Sequence, residues 1–208
     1  MNKNKLLIAV DIETSGCQFS KHGILAIGFC IGDLNNIHNN NKYRINFALD
    51  ENIVFEKRCM DEFWSKNMNK LEELKKDQYS PKQGIQKFID YIDNFEKTFE
   101  LIFISDNPTF DFGFINYYLD KYLDRRPLSF NSIDNSYRPL FDTDCYTRGV
   151  LNLDYSNIWT SDADIINKLN IKLPNNIIHD HLPENDAEYI LELHKAVINH
   201  LMQDYKHK

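Results

Sequence analysis

The run Leu6-Leu7-Ile8-Ala9-Val10 ends directly in Asp11-Ile12-Glu13. So short an apolar run has the length of a buried strand rather than of a helix. Successive side chains of a strand face opposite sides, so Asp11 and Glu13 project together, about 6.5 to 7 Å apart along the chain, while Ile12 points back into the core. Two carboxylates crowded at the end of a buried strand repel each other, and charges in such a place need a partner. A bound cation removes that cost, and hard divalent ions prefer oxygen ligands. Asp-x-Glu alone is a weak motif; the apolar strand in front of it gives it weight.

The rest of the chain supplies a sheet for that strand. Residues 24–31 form a second apolar run, closed by the turn signal Gly32-Asp33. Residues 34–41 carry five asparagines and read as a loop. Residues 43–47 alternate apolar and polar, the period of a half-buried strand. These three strands imply an antiparallel meander. Helical spacing covers residues 60–74. A further helix starts at Ser80-Pro81, with a stripe of Ile85, Phe88, Ile89, Ile92 and Phe95. Residues 101–104 read as the next buried strand, 109–123 as a helix, 139–141 as a short strand and 164–169 as a short helix. A terminal helix runs from about Pro183 to beyond Leu201. Strands first, then α/β alternation, imply an α/β fold: a mixed sheet flanked by helices. With 208 residues and no repeat or Gly/Ser linker, one domain over residues 1–208 is the expectation. Residues 126–137 are a candidate mobile loop.

Two further places put acids at the mouth of such a sheet. In Asp106-Asn107-Pro108-Thr109-Phe110-Asp111, Pro108 suits a helix start, so Asp111 falls in the first helical turn. Taken alone, Asp111 is simply an acid that complements the helix dipole. In His181-Leu182-Pro183-Glu184-Asn185-Asp186-Ala187, Pro183 marks the helix start and Asp186 lies in its opening turn. His181 precedes that helix on a loop, where a neutral imidazole can take a proton from water. His179 stands two residues away as a decoy.

Taken together, these elements resemble the DEDD exonuclease superfamily, in its DEDDh branch, whose fold is ribonuclease-H-like. Asp11-Ile12-Glu13-Thr14-Ser15-Gly16 is similar to the first motif of that family, D-x-E-T-x-G, and Ile24-Leu25-Ala26-Ile27-Gly28 resembles the strand that follows. Asn107-x-x-Phe110-Asp111 resembles N-x-x-F-D, and His181-x4-Asp186-Ala187 resembles H-x4-D-A. The tyrosine branch of the family needs Tyr where this chain has Leu182. Asp106 and Pro183 depart from the usual His and Ala. The resemblance implies a five-stranded sheet, three antiparallel strands plus parallel ones. It implies Asp11, Glu13, Asp111 and Asp186 as ligands of two divalent cations, Mg2+ or Mn2+, with His181 as proton acceptor. The implied reaction is hydrolysis of terminal phosphodiesters of single-stranded nucleic acid, 3′→5′, to 5′-mononucleotides. The implied partner is RNA or DNA with a free 3′ end. Thr14, Ser15 and Asn107, which flank the ligands, are candidate contacts for the terminal nucleotide, and Phe110 and Phe114 are candidates to stack on a base or to be plain core aromatics.

Two other readings share the fold. One is an internally cutting nuclease of the ribonuclease H type, against which Asp-x-Glu on the first strand argues. The other is a nucleic-acid-binding module that has lost catalysis.

The charge balance, 24 bases against 31 acids, is unusual for a nucleic-acid binder. Cations on four of the acids soften it, and Arg125, Arg126, Arg138 and Arg148 are candidates for a local basic patch. The four cysteines form no C-x-x-C pair and fit a reducing compartment. Five apolar residues before Asp11 are too few for a signal-peptide core, and no apolar run reaches the roughly 18 residues of a membrane span. The expectation is an intracellular protein, cytoplasmic or nuclear, with no membrane partner. The sequence leaves monomer and homodimer open.

Overall fold

A computed structural model describes residues 3–33, 36–151 and 161–206. Its sheet has five strands in the order β3-β2-β1-β4-β5: β1 (Lys5–Thr14), β2 (Ile24–Asp33), β3 (Asn36–Asn46), β4 (Glu100–Ser105) and β5 (Leu140–Asp142). Strands β1, β2 and β3 are antiparallel neighbours, whereas β4 joins β1, and β5 joins β4, in parallel. This is the mixed sheet that the strand pattern implies, with β1 at its centre.

The period-2 rule divides β1 between two cores. Ile8, Val10 and Ile12 face a large cluster with Ile27, Phe29 and Ile31 of β2. Helix α3 (Pro81–Glu96) adds Ile85, Phe88, Ile89 and Ile92 to it, and helix α4 (Pro108–Leu123) adds Phe112, Ile115 and Leu119. Leu7 and Ala9 face the other side, where they pack with Cys30 and with Ala187, Ile190 and Leu191 of the terminal helix α7 (Pro183–Lys206). Asp11 and Glu13 continue this second face. The pleat alone thus carries them beneath the start of α7.

That start lies unusually close to the sheet. Asp11 pairs across the strands with Gly28, and a Cβ at Gly28 would sit 1.9 Å from the carbonyl carbon of Pro183 and 2.2 Å from the amide nitrogen of Glu184. Only a residue without a side chain lets the first turn of α7 rest on β2 opposite Asp11. Arg44 of β3 then clamps the same turn to the sheet edge through ion pairs to Glu184 and Glu73, each 3.0 Å.

Three expectations need correction. The asparagine-rich segment is not wholly a loop: residues 36–41 belong to β3, with Asn41 opposite Ile31 and Asn36 opposite Asp33 across an irregularity. Backbone pairing with a fully buried neighbour overrides weak strand propensity there. Leu34 and Asn35 lie outside the described residues. The helix expected over residues 60–74 is broken into α1 (Lys57–Glu62), a 3-10 turn (Trp64–Lys66) and α2 (Met68–Leu74). The break turns fully buried Trp64 inward, where its indole Nε1–H donates to Thr14 O at 3.0 Å. A continuous helix would lose that bond to the end of β1. Helix α5 (Thr143–Val150), capped by the Asp142 side chain, has no counterpart in the sequence reading, and the short helix expected over residues 164–169 is α6 (Asp162–Lys168).

Residues 126–137 are anchored. Buried Glu96 accepts from Arg138 Nη1 and from the amide of Ser132, the latter at 3.1 Å. Of the four arginines expected to form a basic patch, three are paired with acids, Arg125 with Asp93, Arg138 with Glu96 and Arg148 with Asp144, while Arg126 donates to the Asn135 side chain. All four cysteines are unbridged. Among the described residues no helix is long and apolar enough to cross a membrane.

Gly28→Ala is the substitution this packing tolerates least. The added methyl meets backbone, which cannot rotate away, so the expected loss is at the top of the roughly 1–3 kcal/mol range for overpacking, or beyond it. Denaturant unfolding measures it; a loss under about 0.5 kcal/mol, the size of a neutral surface change, contradicts the close approach.

Candidate active site

Three elements bring four acids to one end of the sheet. Asp11 and Glu13 come from β1, Asp111 from the first turn of α4 and Asp186 from the first turn of α7. Asp11, Glu13 and Asp186 each offer an oxygen within 4.8 Å of the others. Asp111 stands outside that cluster, buried, and accepts a hydrogen bond from the Ser105 hydroxyl at the end of β4. Its charge still reaches both β1 acids.

Each position has a local cause. Pro108 sits at the start of α4, and Asn107 caps it by accepting from the Phe110 amide. This fixes Asp111 one turn in. Before α7 the chain turns sharply: His181 has a φ of +63°, in the left-handed region. The turn aims two consecutive amides at Asp186, Asp180 N–H to Oδ1 at 2.8 Å and His181 N–H to Oδ2 at 3.1 Å. The strain of a non-glycine residue there is about 1–3 kcal/mol, and the two bonds to a buried carboxylate offset it. Lys70 of α2 and the Asn185 side chain hold Asp180 from the other side.

The electrostatics are those of a site short of positive charge. Burial first, then Asp111, Glu13 and Asp186, raise Asp11 well above the ordinary carboxylate range. Burial, Asp186 and Asp111 do the same to Glu13. Burial pushes Asp111 up to about 8 although the Ser105 bond opposes it. Burial also raises Asp186, with His179 and His181 opposing. No lysine or arginine is paired with any of the four among the described residues. Crowded, buried oxygen donors without a cation are a donor set that fits a divalent metal ion.

The histidine expected beside Asp186 is there, and so is its neighbour. The His181 ring lies edge-on to Phe63, with centroids 4.9 Å apart, and 5.4 Å from the ring of His179. His179 Nε2 is 3.4 Å from Asp186 Oδ2, so His179 belongs to the site and is not merely a bystander. The candidate substrate contacts divide. Asn107 is exposed and Phe110 half-buried, its ring 5.1 Å from that of Phe114. Phe114 itself is a core residue. Ser15 is fully buried, and its hydroxyl donates to Val54 O and accepts from Gly23 N–H. The Thr14 hydroxyl turns back to Gly16 O at 2.9 Å. Trp64, Phe63 and Ser105 shape the site without any motif that singles them out in the sequence, and Gly28 closes the strand resemblance without its packing role being visible there.

Known nucleases are similar to this chain in sequence or in fold. The E. coli 3'-5' DNA exonuclease Cap18 is 28% identical over 138 residues, which is 62% of this chain and 65% of that protein, just under two thirds of its length. The nuclease domain of 3'hExo, a DEDDh family member bound to rAMP, superposes with a TM-score of 0.63 at 14% identity, over 96% of this chain and 92% of that one. In fold, the chain is similar to nucleases of the DEDDh family. E. coli exonuclease I, solved with single-stranded DNA and zinc, gives a TM-score of 0.65 at 11% identity, over 99% of this chain and 43% of that one. No family model matches the chain. The five-stranded mixed sheet described above is of the ribonuclease-H-like kind that these neighbours have.

A carboxyl whose pKa is higher folded than unfolded favours the fold below its unfolded value and loses that contribution as pH rises through its folded value. For Asp111 the window runs from about 4, the unfolded value, to about 8. Without divalent metal, thermal stability is therefore expected to fall across that window. Asp111→Asn should raise the melting temperature at pH 8 and leave it nearly unchanged at pH 4. An equal shift at both pH values would remove Asp111 from the repulsive cluster.

Proposed function

We propose that the chain is a metal-dependent 3′→5′ exonuclease that removes 5′-mononucleotides from single-stranded nucleic acid. The observation that carries this reading is the convergence of Asp11, Glu13, Asp186 and Asp111 at the open end of the sheet, with an imidazole beside them. The likeness to the 3'-5' DNA exonuclease Cap18 favours DNA as the polymer.

In this reading Asp11, Glu13, Asp111 and Asp186 would hold two divalent cations, with Asp11, Glu13 and Asp186 already grouped for one of them. Oxygen-only donors select Mg2+ or Mn2+. Bound there, the cations supply Lewis acidity, which makes water more acidic and draws off charge developing on the phosphate. His181 accepts the proton of the attacking water. The water oxygen forms the new bond to phosphorus, and the bond to the 3′ oxygen of the shortened strand breaks. Phe63 limits the directions in which the His181 ring can lie. Asn107 and Phe110, at the outer start of α4, are placed to meet the terminal nucleotide. Ser15 and Thr14, whose hydroxyls are engaged internally, hold the strand end in shape instead.

The experiment is a timed digest of matched 5′-labelled DNA and RNA oligomers with Mg2+ or Mn2+, each with a free or a blocked 3′ end. The expected result is a ladder shortening from the free 3′ end, with 5′-mononucleotides as product. Cleavage of circular or blocked strands would instead mark an internal nuclease, and binding without cleavage would mark the non-catalytic module. Asp11→Asn and Asp186→Asn should reduce cleavage to background in folded protein. His181→Ala should lower kcat about 10²–10⁴-fold, the usual range for loss of a general base, with metal affinity nearly retained. Equal losses in rate and affinity would make His181 a ligand rather than a base.

A further inference from the structure

Among the described residues, two groups of side chains bring three metal-capable donors within 4.8 Å of one another, and they share Asp186. One is the acidic group of Asp11, Glu13 and Asp186. The other is His179, His181 and Asp186. The donor types differ. Carboxylates alone suit Mg2+ and Mn2+, whereas two imidazoles with one carboxylate suit Zn2+ and its neighbours. We propose that His179, His181 and Asp186 form a zinc-selective site that switches the adjacent carboxylate site off.

The geometry favours such a site. Tetrahedral zinc with ligand bonds near 2.1 Å sets its donors about 3.4 Å apart. His179 Nε2 already stands 3.4 Å from Asp186 Oδ2. Closing the remaining separation needs a small ring rotation, and the His179 side chain, 51% exposed, is unobstructed enough to make it. The left-handed turn at His181 carries both rings to the same side of the loop, where their centroids are 5.4 Å apart. A histidine two residues before His181 has no part in the H-x4-D pattern, so the pair is a feature of this chain's own loop. Asp106 and His179 line one cavity wall, which gives the outer imidazole a carboxylate neighbour of the kind that orients metal-bound histidines.

Inhibition follows from the shared residues and rests on the exonuclease reading. Zinc on this triad engages the imidazole lone pair of His181, which then cannot accept a proton. It also takes an oxygen of Asp186 away from the acidic group. Mg2+, which binds imidazole poorly, does not displace it efficiently.

The test is calorimetric titration of Zn2+ into the double variant Asp11→Asn/Glu13→Gln, which lacks most of the acidic group and loses a buried repulsion with it. The expected result is one zinc bound, with affinity falling about tenfold or more when His179→Gln is added, as loss of a ligand should cost at least what loss of a ligand's orienting neighbour does. In parallel, the Mg2+-supported digest is titrated with Zn2+ and each protein is normalised to its own zinc-free rate. The concentration for half-inhibition should rise by a similar factor in His179→Gln. No zinc binding in the double variant, or an affinity indifferent to His179, overturns the proposal. If no digestion occurs with Mg2+ at all, the exonuclease reading fails, and calorimetry still decides whether zinc binds here.

Discussion

Asp11 and Glu13 stand near the end of the central strand of the sheet and face Asp186 at close range. Their mutual repulsion, added to the loss of hydration, works against the fold wherever the acids are ionised without a cation. The rest of the molecule overcomes it by over-determining the geometry. The pleat of β1 leaves the two acids no other face. Gly28 lets α7 sit directly over them, Arg44 clamps the start of α7, and Trp64 ties down the end of β1. Ser105 and the amides of Asp180 and His181 fix the remaining carboxylates without neutralising them. Rigid oxygen donors with unspent negative charge are what a hard cation needs.

On the exonuclease proposal, the same constraint bears on how an acidic protein would hold a polyanion. With 31 acids against 24 bases, and with Arg125, Arg138 and Arg148 each paired to a carboxylate, the surface supplies little positive potential. Cations in the carboxylate cluster would be the strongest local positive charges available to a phosphate. Binding of the strand end and catalysis would then depend on the same ions. That would tie nucleic-acid contact to metal occupancy more closely than in a protein with a basic groove.

Much of the fold was legible because the signals were local. Buried runs such as residues 6–10 and 101–104 can only be inner strands, and Pro81, Pro108 and Pro183 each stand at the start of a helix. The carboxylates were legible through their order along strand, helix start and helix start. What escaped reading depends on tertiary contact. Nothing in the local sequence says that Gly28 must be glycine, since the clash involves Pro183, far along the chain. The break at Trp64 exists to reach Thr14, and residues 36–41 become strand because β2 offers them partners. The arginines looked like a patch because sequence shows charges and not the acids that neutralise them. His179 looked like a decoy because spacing cannot show that the turn at His181 brings it to Asp186.

The central claim is that this buried carboxylate cluster, whose members are all raised above the ordinary carboxylate range, gives up protons to take a divalent cation. Calorimetric titration of Mn2+ at pH 7, repeated in buffers of different ionisation enthalpy, counts the protons exchanged on binding. With Asp111 near 8 and Asp11 and Glu13 also raised, the account predicts net proton release, and less of it in Asp111→Asn. Binding with no proton release would mean that the acids are already ionised in the free protein, and would contradict it.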